Sequence, residues 1–161
     1  MRARPPAPYR ASMPPTLTPA VQAFMAEAEQ HLGALPAVQE VFAFGDHPQL
    51  ADALLQLVLR GLKTATCTWP PESATIAPGD LSVVLNGAGE PAALIRTTEL
   101  RRVPFLQVDA AFAYDEGEDD RTLHAWREAH RRYFTRQRAD RPFTDDEEVL
   151  CERFEVIHAR P

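Results

Sequence analysis

The strongest constraint on the fold lies between Phe44 and Thr68, where an amphipathic segment closes on a glycine and runs straight into a β-branched strand. Leu50, Ala53, Leu54, Leu57 and Val58 fall at the i, i+3, i+4, i+7, i+8 positions of one helical face. Asp46 is predicted to cap this helix, with Gln49 as its capping-box partner and Pro48 in the first turn. Gly61 supplies the stop. Lys63 follows, and Thr64-Ala65-Thr66-Cys67-Thr68-Trp69 then alternates as a strand does. The helix therefore delivers a lysine to the start of a strand, and Thr64, Thr66 and Thr68 share one strand face.

The flanking chain supplies the rest of a small domain. Thr18 and Pro19 open a helix over 18–33, with a stripe of Val21, Phe24, Met25, Ala28 and Leu32, and Gly33 ends it. Val41 to Phe44 reads as a short strand. Trp69-Pro70-Pro71 breaks the threonine-rich strand, and Ala77-Pro78-Gly79-Asp80 marks a turn. Strands over 81–85 and 92–100 are joined by the hairpin loop Asn86-Gly87-Ala88-Gly89-Glu90. A short helix is expected over 108–113, a long one over 121–138 and a last strand over 150–159. Antiparallel hairpins with helices placed early and late predict a mixed α/β (α+β) fold: a small β-barrel of five to seven strands flanked by helices. Residues 1–17 carry five prolines and three arginines and no acid, and read as a disordered lead to a single domain over 18–161.

Composition narrows the function classes. At 45% apolar and 25% charged residues the chain can bury a real core. A net charge of −6 argues against a protein that coats long nucleic acid by bulk electrostatics, yet leaves room for a local basic cleft. No apolar run is long enough for a membrane span, and no secretory h-region is visible near the start. Cys67 and Cys151 stand far apart and belong to no Cys-x-x-Cys pair, which fits reduced, buried thiols in a cytoplasmic protein.

The basic cleft has a candidate location. Arg121, Arg127, Arg131, Arg132, Arg136, Arg138 and Arg141 face only Glu128 and Asp140 as acids in that stretch. Arginine pairs with phosphate and stacks on bases, so this helix can line an RNA-binding cleft. It can equally be a solvated helix whose late cations suit the macrodipole. Trp126 is expected in the core and Trp69 exposed at a cleft mouth, ready to stack on a base. The acidic run Asp115, Glu116, Glu118, Asp119, Asp120 can offer oxygen ligands to a divalent cation but lacks the spacing of a calcium loop.

The motifs Phe-Gly-Asp at 44–46, Gly-Leu-Lys-Thr-Ala-Thr at 61–66 and Pro-Gly-Asp-Leu at 78–81 occur in an order that resembles the ASCH domain family. Glu-Gly-Glu at 116–118, Trp-Arg-Glu-Ala-His at 126–130 and Val-Leu-Cys-Glu-Arg-Phe at 149–154 continue it, so the likeness covers roughly residues 40–158. It implies a PUA-like β-barrel. Some small members of the family are amidohydrolases that deacetylate N4-acetylcytidine with a lysine, a threonine three residues on and a distant glutamate. Lys63, Thr66 and Glu116 match those places, with Glu118 a rival acid, while the arginine two residues beyond the threonine is Thr68 here. The branch with the Trp-Arg-Glu-Ala-His helix is more similar to this chain and includes a protein described as a ribonuclease on single-stranded RNA.

Three functions follow as expectations. The first is a hydrolase on single-stranded RNA, with Lys63, Thr66 and Glu116 as catalytic residues. Thr64, Thr68, Trp69, Arg127, His130, Arg131 and Tyr133 would then contact the substrate. The second is an amidohydrolase on a modified nucleoside. The third is a non-catalytic reader of RNA or a small nucleotide, in which Lys63 and the arginines hold phosphate. None requires a cofactor, and a divalent cation is compatible with the first.

Overall fold

The computed structural model describes residues 15–138 and 140–161, so most of the lead over 1–17 lies outside the described residues. Among the described residues, four α-helices and five strands follow in the order α1 (Pro19–Leu32), β1 (Val38–Phe42), α2 (Pro48–Leu59), β2 (Ala65–Thr68), β3 (Leu81–Leu85), β4 (Pro91–Pro104), α3 (Ala110–Glu116), α4 (Leu123–Gln137) and β5 (Glu148–Ala159). The strands form one sheet in the order β1-β3-β4-β5-β2, parallel between β1 and β3 and antiparallel elsewhere. The expected mixed α/β architecture is therefore present, as a sheet that is not closed into a ring. β4 and β5 are the long central pair, and register shifts at Leu94/Ile95 and Thr97/Glu99 interrupt their ladder. Such bulges bend and twist a long pair, which curls the sheet toward a barrel.

Alternation on the strands assigns the helices to faces. Leu81, Val83 and Leu94 pack with Val21, Phe24 and Ala28 of α1. Ile95, Ala93 and Val84, one residue out of phase, pack with Leu54, Leu55 and Val58 of α2. A third cluster, built on Trp69, Phe105, Phe112, Trp126, Phe134 and Phe143, holds α3 and α4 against β2. Both cysteines are free and buried, as expected. No helix among the described residues is long and apolar enough to cross a membrane.

Several boundaries differ from expectation for identifiable reasons. Thr18 caps α1 as predicted, its hydroxyl accepting from the Val21 N–H. Asp46 does not cap α2. The chain turns at Gly45 with φ +77°, and His47 is the extended residue directly before Pro48. The Leu50 N–H therefore donates to His47 Nδ1 at 3.2 Å, and Asp46 sits one residue too early. α3 starts later than expected because Asp109 caps it, accepting from the Phe112 N–H at 2.8 Å. Trp69 is 1% exposed rather than at a cleft mouth. Ala65, Cys67 and Trp69 share one face of the β2 segment, and that face is the one covered by α4.

Candidate active site

The link between α3 and β2 creates the site. α3 ends at Gly117, in the left-handed conformation with φ +73°, and a Cβ there would lie 2.2 Å from the Leu62 carbonyl oxygen. The Thr64 N–H donates to the Asp115 carbonyl at 2.8 Å. This close approach puts Glu116 and Glu118 on either side of Lys63.

Lys63 is 1% exposed, and all its donors are engaged. Nζ donates to the Glu118 carboxylate at 2.7 Å, the Ala65 carbonyl at 3.0 Å and the Glu116 carbonyl at 3.4 Å. The Glu116 carboxylate lies 3.9 Å away. Burial by itself lowers the lysine's pKa, but the two carboxylates outweigh it and hold the group above its ordinary 10.5. Lys63 is therefore a held cation.

Glu116 is the hub. One carboxylate oxygen accepts from the Trp126 indole N–H and stands 2.9 Å from His130 Nε2. His130 Nδ1 donates to the Trp126 carbonyl at 2.8 Å. Both ring nitrogens thus face groups that only accept, which calls for the imidazolium. Burial opposes charge on both partners. The attraction between them prevails, raising His130 above 6.5 and lowering Glu116 below 4.5. Two cations and two anions balance in one network, buried at Lys63, Glu116 and His130 and partly exposed at Glu118.

This network backs onto a cleft of about 250 Å³. Its lining includes Thr66, Thr68, Glu116, Glu118, His130 and Tyr133, all singled out from the sequence. Lys63 stands behind this wall, with Nζ 5.3 Å from the centre of the Phe44 ring. Thr64 is beside the cleft, bonded to Asp115. Three expected contacts are elsewhere. Trp69 is in the core and donates to Glu147. Arg127 donates to the Leu106 carbonyl, and Arg131 is locked to Asp145 and Glu128. Asp46 stands at the rim, where two nitrogens of Arg136 donate to one of its oxygens at 3.2 Å.

Sequence reading missed Phe42 and Phe44 as cleft residues, and it placed Arg132 and Arg136 in the arginine-rich helix without separating them from its other arginines. The signal for the arginines was present. Ala129, Arg132, Tyr133 and Arg136 fall at i, i+3, i+4 and i+7, and that stripe of α4 is the one facing the cleft. The phenylalanines gave no such signal, because they also serve the apolar core. Among the described residues, no group of three or more His, Cys, Asp or Glu is placed to hold a metal ion.

The ASCH domain family model matches residues 40–158, most of the chain. The chain belongs to the ASCH domain family. ASCH is generally an RNA-binding fold. Solved structures agree with the assignment. An ASCH domain from Lactobacillus crispatus is 27% identical, with a TM-score of 0.76, covering 88% of this chain and 96% of that one. A protein from Enterococcus faecalis is 32% identical, also with a TM-score of 0.76, covering 85% and 87%. No curated protein matches the chain significantly.

Proposed function

We propose that this ASCH domain binds single-stranded RNA by taking one nucleoside unit into the cleft. The observation that carries this reading is the lining itself. Phe42, Phe44 and Tyr133 provide aromatic surface, and Thr66, Thr68, Glu116 and Glu118 provide polar groups, around a volume of about 250 Å³. Sequence-specific RNA recognition targets unstacked bases, which stack on aromatic side chains and bond through their edges. A cleft this small suits one base and its ribose and has no room for a duplex. Titration calorimetry with a short single strand, the same strand in a duplex, and a Tyr133→Ala variant tests the proposal. Binding of the single strand alone, weakened at least about tenfold in the variant, is the expected result. Equal affinity for duplex, or an unaffected variant, overturns it.

A second reading, hydrolysis of the bound RNA, is favoured by the protonation states at Glu116 and His130. A carboxylate that stays ionised and an imidazole that stays protonated line one cleft, the base and acid that phosphodiester transfer needs. The ribose 2′-hydroxyl gives its proton to the Glu116 carboxylate and its oxygen attacks phosphorus. Protonation of Glu116 weakens its hold on the Nε2 proton of His130; the bond from phosphorus to the 5′-oxygen breaks, and that oxygen takes this proton, leaving a 2′,3′-cyclic phosphate. Lys63 supplies fixed positive charge behind the site, and the Thr66 hydroxyl lies within the cleft to orient the ribose. Incubating an end-labelled single strand with wild type and with a folded His130→Gln variant tests this step. A cyclic-phosphate product made by wild type alone is expected. Release of acetate from N4-acetylcytidine with no RNA cleavage would instead favour the amidohydrolase alternative, which uses the same Lys63, Thr66 and Glu116.

A further inference from the structure

The charges around the cleft are separated in space. Glu116, Glu118 and Asp119 line it from the α3 side, and Arg132 and Arg136 line it from α4. Arg132 and Arg136 also line a shallow groove that runs along α4 with Arg131 and Thr135, so cleft and groove meet at these two side chains. The other arginines of α4 are engaged within the protein. Arg127 donates to a backbone carbonyl, Arg131 is held by Glu128 and Asp145, and Arg136 is steadied by Asp46. Arg132 is exposed and, among the described residues, has no hydrogen-bond or ion-pair partner. One helical turn separates it from Arg136, a rise of about 6 Å for four residues.

We infer that the nucleotide enters base first and that its phosphates leave across Arg132 and Arg136 into the groove along α4. The inference rests on the single-nucleotide reading of the cleft and adds the polarity and path of the strand. An anionic backbone is attracted by the guanidiniums of Arg132 and Arg136, whereas Glu116 and Glu118, whose charges are balanced by His130 and Lys63, offer acceptors that suit the donor groups of a base. Arg136, held by Asp46 through Nε and Nη2, presents its Nη1 donors in a fixed position, and the exposed Arg132 closes on the neighbouring phosphate. The phosphate groups are thus read at two positions, and positions further along the strand contribute little.

Salt dependence of binding tests this path. The logarithm of affinity for single strands falls with the logarithm of salt concentration with a slope of about −0.7 for each phosphate neutralised. Fluorescence anisotropy of a labelled oligonucleotide should give a slope shallower by about 0.7 for Arg132→Gln and by about 1.4 for the Arg132→Gln/Arg136→Gln double variant. An Arg101→Gln control, on the exposed side of β4, should keep the wild-type slope. Affinity for the neutral nucleoside should be the same in wild type and double variant. A double variant that binds RNA with the wild-type slope overturns the path, because the phosphates then lie elsewhere. Loss of nucleoside affinity in the double variant overturns the base-first polarity. A wild type that binds nucleoside but shows no salt-dependent gain from added phosphates leaves the cleft reading intact and removes this inference alone. A wild type that binds neither removes both.

Discussion

Glu116 and His130 form a buried pair, with His130 Nε2 2.9 Å from the carboxylate and each side chain less than a tenth exposed. Trp126, one turn before His130 on α4, donates to the same carboxylate oxygen and stacks on the imidazole with ring centres 4.1 Å apart. The contact ties the end of α3 to the middle of α4 and forms one wall of the cleft. Fold and candidate chemistry therefore depend on the same groups.

Glu116→Gln removes the anion and leaves the His130 and Trp126 donors facing a neutral amide. Breaking a buried ion pair by removing one partner costs about 3–5 kcal/mol. Urea unfolding should report a loss in that range with an unchanged slope against denaturant. A loss below about 1 kcal/mol would show that the pair is solvated in the folded protein.

The same pair shapes the dependence of stability on pH. His130 is held above 6.5 in the folded protein, so its contribution is complete below pH 6.5 and is lost as pH rises through the higher folded value. Glu116 is held below 4.5, so its contribution is complete above pH 4.5 and is lost as pH falls through the lower folded value. The pair is therefore most stabilising between about 4.5 and 6.5. In thermal melts from about pH 5 to pH 9, the difference between wild type and His130→Gln should shrink steadily on the alkaline side. A constant difference would mean that His130 is neutral when folded.

Much of this was legible in the chain because it follows from periodicity and local chemistry. The helical stripe from Leu50 to Val58, the Thr18 cap and the Asn86–Glu90 hairpin loop needed no tertiary information. Lys63, Thr66 and Glu116 were singled out by resemblance; Glu116 reaches Lys63 because Gly117 folds α3 back onto Leu62, and Thr66 lines the same cleft as Glu116. What was not legible depended on which face of an element is covered. Trp69 beside Pro70-Pro71 has the local look of an exposed aromatic, but strand alternation carries it under α4. Arginines on α4 look equivalent in sequence, and only the partners Asp145, Glu128 and Asp46 distinguish Arg131 and Arg136 from the free Arg132.

Trp69, expected from the sequence to stack on a base, and Tyr133, which lines the cleft, should behave differently on mutation. Trp69→Ala empties a site packed against Phe134 and Phe143, which costs about 3–5 kcal/mol of stability. At a temperature where the variant remains folded, its affinity for single-stranded RNA should equal that of wild type. Tyr133→Ala should show the reverse, with a small stability change and weakened binding. A Trp69→Ala variant that is stable but binds poorly would return Trp69 to the cleft.

The α2 cap offers a test at the surface. His47→Ala removes the acceptor for the Leu50 N–H and should cost about 1 kcal/mol, within the range for lost N-caps. Asp46→Ala removes the exposed contacts with Arg136 and His47 and should cost less than about 1 kcal/mol. Chemical denaturation of both variants decides the order. A larger loss for Asp46→Ala would make Asp46 the cap after all.

Gly117→Ala tests the junction that brings the candidate residues together. A non-glycine residue in the left-handed region costs about 1–2 kcal/mol. The added Cβ would also lie 2.2 Å from the Leu62 carbonyl oxygen, which is backbone and has little freedom to yield. Relief requires α3 to lift away from the start of β2, stretching the Thr64–Asp115 hydrogen bond and moving Glu118 from Lys63. Stability should therefore fall by more than the backbone term alone, and amide exchange at Thr64 should accelerate more than exchange in the β4–β5 ladder. A variant with wild-type stability and unchanged protection at Thr64 would show that this junction is looser than the close approach implies.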